Sequence, residues 1–298
     1  MSPDGAVAGC MRQDRGAFKI VETGLGMMFL HRLHEDRMAR RQSWASIPSS
    51  NSRPALASVD HRHAVYTAFL ESMELSKKHA IELRERRGLS KETVTRNLYA
   101  SVPTLDQLSR IVGALATIRD FTAVPGFVRT REWQSVCREG ELLIPVRDSL
   151  GRVQAICRGT GGVGGAPKYL WLSGRGGASC GAPPHHAWPD VSGFDPIIVT
   201  EGILKADVIA ERLHCSVIGL AGIGSLPQNF GDDLRRLYPG VNAVRVAPDA
   251  DERTNPAVRR AAARLVRALK AARFMVTCLR WDRSAGKGLD DVLNGGAE

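Results

Sequence analysis

From Pro196 onward the apolar positions alternate between two periods. Pro196–Thr200 (PIIVT), Ser216–Leu220, Ala243–Ala247 (AVRVA) and Phe274–Trp281 are short, mostly apolar runs, as expected of strands buried in a sheet. Between them, Leu204–Leu213, a segment around Asp232–Leu237, and Pro256–Ala272 carry apolar residues at helical spacing. In the last of these, Ala261, Leu265, Val266 and Leu269 share one face. A glycine loop, Ala221–Ser225, follows the second strand, and a short helix over Gly288–Leu293 closes the series. Strands alternating with helices predict a parallel sheet covered on both faces. In such sheets ligands bind beyond the carboxyl ends of the strands.

Upstream the pattern is mixed. Val65, Phe69 and Met73 recur every four residues and predict a helix. Ser76 is placed to cap a second helix, Lys77–Arg87, and Gly88 to end it. Ser90 is placed to cap a third, from Lys91. The two short helices around Gly88-Leu89-Ser90 read either as a helix-turn-helix or as a plain helical hairpin. A further helix covers Thr104–Ala116. Glu141–Arg147 (ELLIPVR) and Arg152–Arg158 (RVQAICR), joined by Asp148-Ser149-Leu150-Gly151, predict a β-hairpin. Residues 159–194 are rich in Gly and Pro, with a short strand at Lys168–Trp171, and long loops of this kind are often functional.

Residues 1–60 carry little periodicity. Phe29–Arg41 reads as a short helix and the serine-rich Ser43–Ser58 as a linker. The pattern therefore divides the chain into a flexible N-terminal region (1–60), a mixed helix-and-hairpin part (61–194) and an α/β part (195–298).

Charge changes this picture. The 298 residues are 43% hydrophobic and 24% charged, as in ordinary globular proteins, but the net charge is +10. Such an excess favours a polyanionic partner. The six cysteines include no CxxC and no zinc-ligand spacing with histidine, which suits a reduced, cytoplasmic protein. The apolar stretch Met27–Leu30 is too short to span a membrane and lacks a cleavage site, so no membrane role is expected.

The acidic residues supply the candidate chemistry. Glu201 and Gly202 follow the first strand, Asp249 and Asp251 the third, and Asp290 and Asp291 follow the fourth by a loop. All lie at carboxyl ends of predicted parallel strands, so they can converge on one edge. Carboxylates crowded together resist ionising unless a cation joins them. Hard oxygen ligands suit Mg2+ or Mn2+, which also draw in phosphate. Gly202 permits the sharp turn into the following helix.

This conjunction resembles the Toprim domain shared by DnaG-type primases, topoisomerases, some nucleases and RecR-like proteins, over about Asp195–Leu293. Upstream, Ala80–Ala100 (AIELRERRGLSKETVTRNLYA), LLIPVRDSLGRVQAICRG at Leu142–Gly159 and PKYLWLS at Pro167–Ser173 are similar in order to the segments preceding Toprim in primases. The run Thr200–Asp207 (TEGILKAD) resembles Toprim-like replication proteins of phages, plasmids and integrated elements. The fold so implied is α/β: a Toprim-type parallel sheet flanked by helices, preceded by a smaller mixed α+β basic subdomain.

The resemblance implies a metal-dependent nucleotidyltransferase that makes primers on single-stranded DNA from nucleoside triphosphates. Glu201, Asp249 and Asp251 would be catalytic. The same three, with Asp290 and Asp291, would hold Mg2+ or Mn2+. Arg147, Arg158 and Lys168 would hold template or nucleotide phosphates, while Lys205 and Lys287 would reach phosphate or neutralise the carboxylates. A replicative helicase, or another mobile-element replication protein, is the implied partner. Primases commonly carry a zinc module, and none precedes this core. Two other readings therefore stay open: a non-catalytic nucleic-acid-binding subunit, and a Toprim nuclease. The tyrosines (66, 99, 169 and 238) lack the context a topoisomerase requires.

Overall fold

The computed structural model describes residues 7–10, 19–23, 26–32, 55–161, 167–173, 177–187 and 196–295. It separates into two compact units, Met1–Arg53 and Pro54–Glu298.

In the first unit, β1 (Val7–Cys10), β2 (Lys19–Thr23) and β3 (Gly26–Arg32) form an antiparallel sheet in the order β1-β3-β2. This corrects the expected helix from Phe29. Phe29–Arg32 is strand, because Met27–Leu30 is a short apolar run that pairs on both sides, with Cys10 opposite Phe29 and Val21 opposite Met28. Periodicity cannot separate helix from strand over so few residues. Residues 33–41 of that expectation, and most of the linker, lie outside the described residues.

The second unit opens with α1 (Val59–Glu71), capped by Ser58, whose hydroxyl accepts from the His61 N–H. Next come α2 (Lys77–Ile81), continued by a π-helical turn over Glu82–Arg86, and α3 (Lys91–Arg96). Ser76 and Ser90 cap α2 and α3 as predicted. The turn between them is packed against the C-terminal part of the chain: the Ser90 N–H donates to Glu211 (3.1 Å) and Asn294 donates to the Arg87 carbonyl (3.0 Å). A turn committed to packing makes this a helical hairpin, with no recognition helix standing free.

β4 (Ala100–Ser101) and α4 (Leu105–Ala116) follow, then a small hairpin, β5 (Phe127–Arg129) with β6 (Trp133–Ser135). β7 (Leu142–Arg147), β8 (Val153–Gly159) and β9 (Tyr169–Trp171) complete an antiparallel sheet ordered β4-β7-β8-β9. One face of β7, carrying Leu143, meets the aromatic core of Tyr66, Phe69, Phe121 and Phe127. The other, carrying Leu142, Ile144 and Val146, packs on Ile203, Leu204 and Val208.

The last sheet contains β10 (His185–Ala187), β11 (Ile197–Glu201), β12 (Val217–Leu220), β13 (Ala243–Ala247) and β14 (Met275–Cys278), ordered β10-β12-β11-β13-β14. All neighbours are parallel except β10, an antiparallel edge strand. The pleat sorts the core. Ile197 and Val199 face α6 (Phe230–Leu237) and α7 (Pro256–Ala271), whose Leu265 and Leu269 are fully buried. Ile198 faces α5 (Ile203–Leu213) and α8 (Leu289–Leu293). Gly219 lets α5 close on the sheet: a Cβ there would stand 2.7 Å from the Gly202 carbonyl oxygen and 2.9 Å from Ala206 Cβ. Helix α5 thus lies between both sheets and fixes the hairpin against the carboxyl edge of the parallel strands.

Candidate active site

Glu201 is the last residue of β11, and Gly202 (φ +100°) turns the chain directly into α5. Asp249 lies just beyond β13, buried, and leads into a 3-10 turn, Ala250–Arg253, that holds Asp251. Asp290 is buried in the first turn of α8. Asp249 is met by two ammonium groups: Lys205 Nζ at one oxygen and Lys287 Nζ at the other (3.3 Å). Arg87 Nη1 donates to Asp290 Oδ2 at 3.3 Å. The remaining Asp290 oxygen and Asp251 Oδ1 are buried without a hydrogen-bond partner.

The electrostatics follow from this crowding. Burial raises the Glu201 carboxyl above its ordinary range, and Asp249 adds to the effect against the pull of Lys205 and Lys287. Burial also raises Asp290, with Lys205 acting in opposition. For Lys205, burial works to depress the ammonium but is outweighed by Asp249, so its affinity for a proton rises.

Among the described residues, no three His, Cys, Asp or Glu side chains stand together in a group that could hold a metal ion. The donor chemistry nevertheless fits a hard divalent cation: the acceptors at this edge are carboxylates, and two of their buried oxygens lack partners. Glu201, Asp249, Asp251 and Asp290 supply those donors. Asp291 is placed differently. Its Oδ2 accepts the backbone N–H groups of Lys287 (3.1 Å) and Gly288 (2.8 Å), so it secures the start of α8.

Two of the expected phosphate ligands are also placed elsewhere. The hairpin register shifts between Val146 and Arg147, and bulges of this kind re-aim side chains. Beyond the shift, Arg147 is buried, with Nη2 on Asp207 Oδ1 (3.0 Å) and Nη1 on the Asn97 carbonyl (3.2 Å). Asp207 also accepts from His185 Nε2 (3.1 Å) and the Tyr99 hydroxyl (2.5 Å). The Arg147 backbone N–H donates to His185 Nδ1 (3.0 Å). That bond leaves the imidazole proton on Nε2, facing Asp207. Burial works to raise Asp207, but His185 and Arg147 outweigh it and hold the carboxyl at about 2. Arg158 is buried too, its Nη1 on both oxygens of Glu141 (3.0 and 2.8 Å). Both arginines lie on strands covered on both faces, so their charges are neutralised inside the fold and do not meet solvent phosphate.

Lys168 is exposed, as a ligand to phosphate requires. It lines a cleft of about 900 Å³ with Lys78, Arg86, Tyr169 and Leu204, the charge being mixed by Glu82 and Glu139. Arg87, unanticipated in the sequence, joins this cleft to the acidic edge: its charge acts on Tyr169 and it bonds Asp290. Tyr66 and Tyr99 are buried, hydrogen-bonded to the Pro125 carbonyl and to Asp207.

Residues 188–298 match the family described as "Domain of unknown function (DUF3854)". No curated protein sequence matches the chain. Solved structures do. The Aquifex aeolicus primase, zinc-binding and RNA polymerase domains, superposes with a TM-score of 0.62 at 16% identity, over 80% of this chain and 59% of that one. The E. coli primase catalytic core gives 0.55 at 19% identity, over 79% and 75% of the two chains. The RNA polymerase domain of Mycobacterium tuberculosis primase DnaG, in complex with double-stranded DNA, gives 0.57 at 15% identity, over 80% of each. The chain spans about three fifths of the length of the Aquifex structure. Its mixed α/β fold is therefore that of primase catalytic cores. No helix among the described residues is long and apolar enough to cross a membrane.

Proposed function

We propose that the chain is a primase-like nucleotidyltransferase of the Toprim type, making primers on single-stranded DNA from nucleoside triphosphates with Mg2+ or Mn2+. One observation carries the reading: Glu201, Asp249 and Asp251 lie at the carboxyl ends of adjacent parallel strands in a primase-core fold, with buried carboxylate oxygens left without partners. Glu201, Asp249 and Asp251 would hold the cation, with Asp290 beside them. When bound, the cation draws in phosphate oxygens and screens their charge. Glu201, its proton affinity raised by burial, is suited to take or return a proton at its carboxyl. Lys205 and Lys287, now at Asp249, provide positive charge at the same edge for phosphate. Lys168, Lys78 and Arg86 line the route by which nucleotide or template approaches. The cysteine pattern suits the cytoplasm, and the resemblance to Toprim-like replication proteins suggests a replicative helicase or another mobile-element replication protein as partner.

The test is incorporation of labelled nucleotides on a single-stranded template with Mn2+. A template-dependent product lost in Asp249→Ala, Asp251→Ala supports the reading; no product from a folded preparation across templates contradicts it. A second reading has its own observation. Lys205 and Lys287 both pair with Asp249, an arrangement that also suits a subunit that binds nucleic acid without catalysis. In that case the double variant keeps both DNA affinity and biological activity. Cleavage of supercoiled or linear DNA under the same conditions would instead assign a nuclease.

A further inference from the structure

Helix α7 begins three residues after the turn that holds Asp251, and it carries no acidic residue. Its basic side chains are Arg259, Arg260, Arg264, Arg267 and Lys270, and all are exposed. Arg260, Arg264 and Arg267 are spaced by four and three, so they form one stripe along the helix. Among the described residues, none of the five has a carboxylate within ion-pair reach. Like charges at this spacing repel.

Helix stability does not account for the stripe. Arg259 and Arg260 stand at the end of the first turn and just beyond it, where the helix dipole offers cations no favourable interaction. The opposite face of α7, with Ala262, Leu265 and Leu269, is buried against the sheet. The outer face has no exposed large apolar side chain, which a membrane-inserting helix or a protein-binding helix would present. What remains is charge and hydrogen-bond donors: the chemistry that meets a phosphate backbone.

The stripe also leads to the acidic edge. Arg264 Nη2 donates to the Gly224 carbonyl at 2.6 Å, in the loop after β12. In the same loop, a Cβ on Gly222 would lie 3.8 Å from Glu201 Oε1. At about 1.5 Å per residue along this 16-residue helix, the stripe from Arg260 to Arg267 extends over about 10 Å. We infer that the outer face of α7 is a second nucleic-acid surface, distinct from the Lys168 cleft, that holds the phosphate backbone of a strand entering or leaving the acidic edge. It takes polynucleotide by charge, without reading sequence, and it rests on the reading of the chain as acting on nucleic acid.

The test is equilibrium binding of a fluorescent single-stranded oligonucleotide across a salt series, in EDTA and without nucleotides, so that polymerisation plays no part. Three variants are compared with the full chain: Arg260→Gln, Arg264→Gln, Arg267→Gln; the same positions changed to Lys; and a control, Arg110→Gln, Arg119→Gln, Arg131→Gln, which removes equal charge from an exposed region elsewhere. With about 0.7 counterions released per phosphate neutralised, the first variant should flatten the slope of log K against log salt by roughly 2. Affinity at low salt should fall about tenfold or more. The Lys variant and the control should keep the wild-type slope, and circular dichroism should show all three folded. A wild-type slope in the Gln variant overturns the proposal. So does a wild-type chain that binds no oligonucleotide, or a charge-dependent affinity found only for anionic lipid vesicles. If the slope flattens as expected while the wild-type chain makes no primers, the surface stands and the catalytic reading falls.

Discussion

Helix α5 carries one buried carboxylate, Asp207, and starts beside a group of others at the sheet edge, and the fold treats the two places in opposite ways. At Asp207 one oxygen is met by Arg147 and His185 and the other by Tyr99, in an environment closed to solvent. At the sheet edge, Glu201, Asp249, Asp251 and Asp290 are also largely withdrawn from water, but Asp251 and Asp290 each keep an oxygen with no partner. The first cluster lowers its carboxyl; the second raises two of its own. Buried polar groups in folded proteins are nearly always satisfied, so each exception calls for a physical account. Similar residue types therefore do different work. Asp207 ties the hairpin sheet to α5, while the edge carboxylates are those to which the proposed function assigns a cation.

The comparison can be broken most sharply at Arg147. Arg147→Ala should destabilise the fold by about 3–5 kcal/mol in urea unfolding, because it leaves a buried carboxylate without its main charge partner. An effect below ~1 kcal/mol would mean that the Asp207 cluster is not the structural one. Acid separates the clusters next. Asp207 is held at about 2, below its unfolded value of about 4. Its contribution is present above pH ~4 and is lost as pH falls towards 2, amounting to roughly 2–3 kcal/mol. His185 begins the loss earlier, below about pH 6.5, because the unfolded chain takes a proton that the buried ring resists. Asp207→Asn should flatten this acid limb when unfolding free energy is followed against pH.

Smaller effects sharpen the other side. Lys168→Ala should weaken nucleotide binding by about fivefold, ~1 kcal/mol, in calorimetric titration, with no change in unfolding. Glu201→Gln, measured in EDTA, should give a slight gain in thermal stability. The sign follows from the raised carboxyl: the folded state is penalised above its pKa, and the penalty vanishes below the unfolded value. The gain should be seen at pH 8 and fade as the pH is lowered to 4. A loss of stability at pH 8 would place Glu201 among the structural carboxylates.

Much of the parallel sheet was legible because its strands are short apolar runs separated by helical periods. β13 and α5 lie where the pattern puts them, with α5 one residue longer at its start. The positions of Glu201, Asp249 and Asp251 at strand ends followed from the same alternation. β10 was not legible: His185 and His186 carry no strand pattern, and the segment forms only by adding to the edge of β12. Nor was the fate of Arg147 and Arg158. An arginine ending a strand reads as surface charge until Asp207, distant in sequence, and Glu141, just before β7, are seen to meet it. Arg87 escaped notice for the same reason, since Asp290 lies at the far end of the chain.

The central claim is that the edge carboxylates await a divalent cation. The direct measurement is titration of Mn2+ into the protein, following the electron paramagnetic resonance signal of the free ion. The wild-type chain should suppress that signal at low equivalents, and Arg147→Lys, which keeps the charge at Asp207, should do the same. Asp249→Ala, Asp251→Ala should leave the signal as in buffer. A wild-type chain that leaves the free Mn2+ signal unchanged would contradict the account.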